Sequence, residues 1–179
     1  MYYGEIKQRD IANGEGIRTS LFVSGCRLHC KDCFNKDTWS FSYGQPFTEA
    51  VEELILDALK HPYIAGLTVL GGEPMENENQ AALLPFLQRV RKAYPQKTIW
   101  MFTGYRLEKD LWPEGPKHTP HTMALLQLID VLVDGPFIKE KKRLGLKFRG
   151  SSNQRILDMP QTLAAGKPII HSNYIDNME

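Results

Sequence analysis

Short apolar runs and longer helical patterns alternate along most of the chain. Four apolar runs predict buried strands, and they fall at residues 21–23, 67–70, 99–102 and 131–133. Between them, apolar residues recur at helical spacing from Thr48 to Lys60, from about Asn79 to Tyr94, and from Met123 to Leu128. Apolar strands that alternate with helices are typical of a mostly parallel sheet.

Prolines and one short apolar pattern modify this picture. Pro85 fits the second predicted helix only if it falls in the first turn, because an interior proline removes a backbone hydrogen bond. Residues 107–111 predict a helical turn. Pro113, Pro116 and Pro120 then predict a loop before the third helix.

The length and charge of the chain limit its class. A complete eightfold barrel typically needs about 250 residues, and this chain has 179. We therefore predict a single α/β domain, residues 1–179, built as a partial (βα) barrel, with residues 156–179 as a tail of uncertain structure. The net charge of +1 predicts no general attraction to nucleic acid or anionic membrane. No apolar run is long enough for a transmembrane helix, and no signal peptide is evident at the start.

A candidate site loop follows each of the four predicted strands. These loops are the cysteine-rich segment, residues 71–74, residues 103–105 and residues 134–136. In parallel α/β folds, ligands bind at the carboxyl ends of the strands. We therefore expect the four loops to face one cavity.

The first of these loops contains every cysteine of the chain: Cys26, Cys30 and Cys33. Closed structural metal sites usually have four protein ligands, so three thiolates indicate a metal centre with one open position. Thiolates suit iron–sulfur clusters, zinc or Cu(I), and the spacing favours a 4Fe–4S cluster with one free iron.

Two other interpretations of the cysteines stay open. Zinc with a fourth ligand from His29, His118 or His121 is one, and a site without metal is the other. An odd, clustered set of cysteines does not indicate a disulfide framework, and it favours a reducing compartment, here the cytoplasm.

The cysteine spacing resembles that of the radical S-adenosylmethionine superfamily. Asp32 stands where that superfamily usually has an aromatic residue. Within it, the run from Cys33 to Trp39 is similar to the glycyl-radical-enzyme activases, and so is the segment 13–19, although Glu15 replaces the usual proline. Further segments resemble the activators of anaerobic ribonucleoside-triphosphate reductases: residues 44–47, 100–105, 131–135 and 149–154. The resemblance covers roughly residues 6–155.

The resemblance implies S-adenosylmethionine as a second cofactor, bound at the free iron. Its amino group is then held by the motif Gly71, Gly72, Glu73 and Pro74, where glycines allow close approach and a carboxylate accepts from an ammonium. The resemblance places backbone at Asp32, Cys33 and Phe34 on the adenine side. Thr103, Gly104 and Asp134 are candidates for the ribose and methionine side, although Asp134 could equally be an ordinary turn former.

The resemblance also implies the reaction. Reductive cleavage of S-adenosylmethionine gives a 5′-deoxyadenosyl radical, which removes hydrogen from a glycine in the large subunit of the reductase. Flavodoxin is the implied electron donor. With no further cysteine in the chain, an auxiliary cluster on protein thiolates is excluded.

Two alternative functions remain. One is activation of another glycyl radical enzyme, such as formate acetyltransferase, and the other is a zinc-binding interaction module. The basic stretch 139–149 is either a solvated loop or a docking surface for an acidic partner or an anionic reductant.

Overall fold

Seven strands form one mixed sheet in the computed structural model, which describes residues 1–177. In chain order they are β1 (Tyr2–Asp10), β2 (Ile17–Val23), β3 (Gln45–Pro46), β4 (Ile64–Gly71), β5 (Thr98–Phe102), β6 (Val131–Asp134) and β7 (Arg155–Asp158). Their order across the sheet is β3-β1-β2-β4-β5-β6-β7. The four middle strands pair in parallel, whereas β1 and β7 pair antiparallel with their inner neighbours.

The α-helices pack against one face of this sheet. They are α1 (Glu49–Leu59), α2 (Asn77–Ala93), α3 (Thr122–Leu128) and α4 (Met159–Ala165). Alternate residues of the middle strands point into this layer, and the pairs Leu21 and Val23, Leu67 and Val69, and Ile99 and Met101 are buried against the helices. The main core therefore lies between the sheet and the helical layer.

The four predicted strands and three predicted helices are confirmed, and so is the helical turn at Leu107–Leu111. The α/β class is also confirmed, but the sheet is open and only its middle is parallel, so the barrel geometry stays a prediction. The hydrophobic pattern does not predict strands β1, β3 and β7 or helix α4. The tail forms β7, α4 and a 3₁₀ helix (Ser172–Asn177), and its last two residues, 178–179, lie outside the described part.

Pro85 lies in the interior of α2, so the expected first-turn position is wrong. Pro85 lies on the solvent-exposed side of the helix, whereas the adjacent Phe86 and Leu87 are fully buried in the core. Helices bend most readily on the solvent side, and burial of the two apolar side chains offsets the lost backbone bond.

The amino ends of the parallel strands are closed by a buried arginine. Arg18 is 1% exposed, and its guanidinium donates to Thr68 Oγ1 at 2.7 Å and to the carbonyls of Leu67 and Thr98. Burial lowers the pKa of Arg18 to about 10, since a charged group is disfavoured away from water. This edge of the sheet is a satisfied structural network.

The tail covers the face of the sheet opposite the helices. Tyr174 is buried there against Trp100, and its hydroxyl donates to Glu15 Oε1 at 2.5 Å. Within residues 1–177, no helix is both long and apolar enough to cross a membrane.

Candidate functional site

A cavity of about 230 Å³ lies at the carboxyl edge of the parallel strands. Four strand ends contribute to its lining: Cys26, Cys30 and Cys33 after β2, Gly71 at the end of β4 with Gly72 and Glu73 after it, Thr103 and Gly104 after β5, and Gly135 after β6. The expectation that these four loops face one cavity is confirmed. Parallel strands achieve this because all of their carboxyl ends meet at the same edge.

The cysteine loop is shaped by backbone hydrogen bonds. The amides of Gly25 and Cys26 donate to the carbonyls of Thr38 and Trp39, at 2.7 and 3.1 Å, so the loop returns on itself. Asp32 adopts a left-handed φ of 57°, which an aspartate tolerates better than most residues. The tight path brings three thiols to one side of the cavity.

Backbone amides favour negative charge on the three sulfur atoms. The amide of Asn35 donates to Cys33 Sγ at 3.4 Å. The amides of Leu28 and His29 act to lower the pKa of Cys26, and the amide of Phe137 acts to lower the pKa of Cys30. Hydrogen bonds of this kind help to set the reduction potential of an iron–sulfur cluster. The donors around these sulfurs are therefore of the type that a cluster needs.

Burial makes the free thiolates unfavourable. It raises the pKa of Cys26 to about 11, and it also raises the pKa of Cys30. Metal ligation requires the thiolate, and a bound cation supplies the charge that stabilises it. The cysteines are free of disulfides, so this donor set fits an iron–sulfur group.

The histidines considered as zinc ligands have other surroundings. The ring of His29 stacks on Trp39 with centroids 4.3 Å apart, and His118 Nδ1 lies 2.8 Å from the carbonyl of Leu111. His121 precedes α3. Among residues 1–177, no three metal-binding side chains are grouped around a single ion position. A cube does not require such a group, because each thiolate binds its own iron.

Glu73 links the loops after β4 and β5. It is 1% exposed, and its carboxylate accepts from the amide of Met75, from Thr103 Oγ1 and from the amide of Gly104, all within 2.8 Å. Burial raises the pKa of Glu73 to about 7, although these hydrogen bonds favour the charged form. A carboxylate has about four acceptor sites, so one remains for a ligand.

Glu76 is a site-supporting residue that the sequence did not reveal. Its buried carboxylate accepts from the amide of Arg27 at 2.9 Å and from the Tyr105 hydroxyl at 2.8 Å. It also pairs with the side chains of Arg27 and Lys117. Burial favours a higher pKa, but these hydrogen bonds outweigh it and lower the pKa of Glu76. The cysteine loop is thereby fixed to the start of α2.

Glycine is needed at positions 71 and 72 for two different structural reasons. The amide of Gly72 donates to Val23 O at 2.7 Å, and a Cβ on Gly72 would lie 2.7 Å from Gly25 O and 2.8 Å from Thr38 O. Gly71 has a φ of 110°, a region that side chains rarely adopt. Gly72 is therefore required by the backbone of the cysteine loop itself.

Comparison with known proteins agrees with these features. A family model described as a 4Fe-4S single cluster domain matches residues 12–157. Over 158 residues the chain is 44% identical to the anaerobic ribonucleoside-triphosphate reductase-activating protein of Haemophilus influenzae, spanning 87% of this chain and 97% of that protein. The protein of the same name from Escherichia coli K12 is 41% identical over 156 residues, which span 86% and 96%. The chain belongs to the family of anaerobic ribonucleoside-triphosphate reductase-activating proteins.

This family includes more distant members. The activating protein of Enterobacteria phage T4 is 35% identical over 156 residues, 87% of this chain and 93% of that protein. The resemblance read from the sequence is thus confirmed, and the three cysteines together with the family model support an iron–sulfur cluster. The number of ligands and the binding of S-adenosylmethionine stay predictions.

The remaining predicted site residues of this family member lie in different places. Phe34 lines the cavity and is 75% exposed, whereas the side chain of Asp32 pairs with Lys139 at 2.5 Å. Pro74 is buried beside Glu73. The carboxylate of Asp134 is buried and accepts from the amide of Leu107 and from Arg155, so its neighbour Gly135 faces the cavity instead.

Several further residues line the cavity although the sequence analysis does not name them as site residues. They are Leu28, Asn35, Trp39, Phe137, Gly150 and Gln154. Gln154 is held by the amides of Gly150 and Ser151 and donates to the Gly135 carbonyl. Four of the six lie in segments 33–39 and 149–154, and the family resemblance of these segments is the signal that could have found them.

Proposed function

We propose that this chain activates an anaerobic ribonucleoside-triphosphate reductase by generating a glycyl radical on its large subunit. The observation that carries the proposal is the convergence of three thiols with the Gly71–Glu73 and Thr103–Gly104 loops on one cavity. Cys26, Cys30 and Cys33 would hold a 4Fe–4S cluster, and the cavity beside them would hold S-adenosylmethionine. When bound, the reduced cluster would supply one electron to the sulfonium of S-adenosylmethionine, and cleavage of its carbon–sulfur bond would give methionine and a 5′-deoxyadenosyl radical.

The chain's own residues bind and orient the ligand. Glu73 has an acceptor site left, and together with the carbonyls of Gly71 and Gly72 it binds the ammonium of the methionine part. Thr103 and Gly104 are fixed by Glu73 and form the ribose and methionine side.

The other predicted site residues support the ligand less directly. Backbone from Asp32 to Phe34 contacts the adenine side, and buried Pro74 holds the end of its loop. Asp134 acts through Leu107 and Arg155, since its carboxylate is already occupied by them.

The apolar walls keep water from the reactive species. Leu28, Leu70, Phe102 and Phe137 contribute to the lining. A carbon radical formed in such a site meets few alternative hydrogen donors, so it reacts with the residue that the partner presents. That residue is a glycine of the reductase, whose α-carbon gives up one hydrogen atom.

The names of the relatives support the choice of partner, because each is called an activating protein of the anaerobic reductase. Flavodoxin as the electron donor, the absence of nucleic-acid and membrane partners, and a cytoplasmic location stay predictions. The same holds for a single domain over residues 1–179.

The test mixes the reduced, ligand-loaded protein separately with the anaerobic ribonucleotide reductase and with formate acetyltransferase. Electron paramagnetic resonance should show a glycine-centred doublet only with the reductase. A doublet only with formate acetyltransferase would assign the chain to the other activases. Stoichiometric zinc without a cluster after anaerobic reconstitution would support the zinc-binding module instead.

The cluster assignment has its own test. Replacement of Cys30 by Ala should abolish cleavage of S-adenosylmethionine, because it removes one of the three thiolates that the cluster requires. Product analysis by chromatography measures the cleavage, and full activity in the Cys30→Ala protein would overturn the assignment.

A further inference from the structure

A basic loop, residues 138–149, lies beside the mouth of the cavity. Its two flanks, Phe137 and Gly150, both line the cavity. Lys139 pairs with Asp32 in the cysteine loop at 2.5 Å, and Lys142 Nζ lies 4.9 Å from the centre of the Phe34 ring. The basic loop is thus held against the cysteine loop at the entrance.

The surface of this loop combines charge with exposed apolar groups. Residues 139–149 contain six basic residues, of which all but the buried Arg149 are exposed, and one acidic residue. Leu144 is 100% exposed and Phe34, across the entrance, is 75% exposed. Apolar side chains surrounded by charge of one sign are typical of a surface that binds a partner of the opposite charge.

We infer that the basic loop docks an acidic segment of the protein that receives the radical. This inference rests on the proposed function. Hydrogen can be removed only if the target glycine enters the cavity, so the protein that carries it must lie over the mouth. An electron donor need only approach the cysteine loop, and it can do so from outside. The position of the basic loop therefore favours the radical-accepting protein as its partner.

The test reverses the charge of three loop residues that do not line the cavity. Lys141, Arg143 and Lys147 are exposed, so the triple replacement by Glu should leave folding and iron content unchanged. Lys7, Lys92 and Lys167 are exposed elsewhere, and their replacement by Glu gives a control with the same net charge. Both variants are reduced with dithionite, which removes any effect of docking by a protein electron donor.

Glycyl radical formation on the reductase should be slowed about tenfold or more in the loop variant at low ionic strength, and less at high salt. The control should stay within about twofold of the wild type. Cleavage of S-adenosylmethionine without the reductase should be the same in all three proteins.

Equal activation rates in the loop variant and the control would overturn the inference. So would a loss of uncoupled cleavage, which would assign the loop to the cofactor site. A defect seen only with an anionic protein reductant, and absent with dithionite, would assign it to the electron donor. A wild type that forms no radical on the reductase would overturn the proposed function itself, which distinguishes the two failures.

Discussion

Glu73 is a carboxylate whose protonation the fold shifts towards neutral pH. Its pKa is raised to about 7 by burial, against an ordinary value of 4.5. The charged form is therefore disfavoured in the folded chain relative to the unfolded chain. The contribution of Glu73 to stability is full below pH 4.5 and is lost as the pH rises through about 7.

A comparison with Glu73→Gln isolates this effect. Between pH 5 and pH 7.5, the free energy of unfolding of the cluster-free wild type should fall by about 2 kcal/mol relative to the variant. Urea denaturation at the two pH values measures the difference. Parallel behaviour of the two proteins would show that Glu73 is ionised in the fold at both values.

The cysteines and Glu76 show what a sequence reveals at the scale of residues. Three cysteines within eight residues are a local signal, and they predicted the centre of the cavity. Glu76 is 49 positions from Arg27, its partner. The sequence contains many carboxylates, and only the fold determines which of them is buried beside that arginine.

Glu76 provides a second prediction. Glu76→Ala removes a buried partner of Arg27, Lys117 and Tyr105, and should lower the free energy of unfolding by about 2 kcal/mol, less than for a fully buried pair because the two cations are partly exposed. Glu78→Ala is the matched control, since Glu78 pairs with the same Arg27 at the surface. It should cost at most about 0.5 kcal/mol, and chemical denaturation measures both. Equal losses would mean that the buried carboxylate has no special role.

Among the elements, the strands β2, β4, β5 and β6 could be predicted because each contains a short apolar run that is largely buried on both faces. Strand β1 is mostly polar and exposed, so it lacks such a run. The antiparallel pairing of β7 also has no local sequence signal, because it depends on how the chain folds back to lie beside β6. Because the sequence gives no signal for these antiparallel outer strands, it predicts a mostly parallel barrel.

The contact between the cysteine loop and the second strand-end loop leads to a third prediction. Gly72→Val should lower iron content as well as ligand affinity, because its Cβ would collide with the carbonyls of Gly25 and Thr38. Gly166→Ala, where nothing lies within 4 Å of the added Cβ, should cost about 1 kcal/mol through its positive φ and leave iron unchanged. Iron analysis of both variants after anaerobic reconstitution measures the difference. Normal iron in Gly72→Val would show that the loop relaxes.

At the scale of the whole molecule, the tail covers the face of the sheet opposite the helices, whereas the site lies at the carboxyl edge of the parallel strands. Tyr174→Ala should lower the free energy of unfolding by about 3 kcal/mol, since it removes a buried aromatic ring. It should also shift tryptophan emission to the red by exposing Trp100. Tyr174→Phe, which loses only the bond to Glu15, should cost about 1 kcal/mol. Unchanged fluorescence in Tyr174→Ala would contradict this arrangement.

The antiparallel strands on both sides of the parallel sheet have a consequence for substrate size. A closed barrel selects by volume, because the substrate must fit inside the ring of strands. Here β1 and β7 end the parallel arrangement on either side, and the sheet stays open. An open sheet sets no upper limit on the bulk of what lies against its edge. A molecule many times larger than this chain can therefore offer a single residue to the cavity and keep the rest of its mass outside.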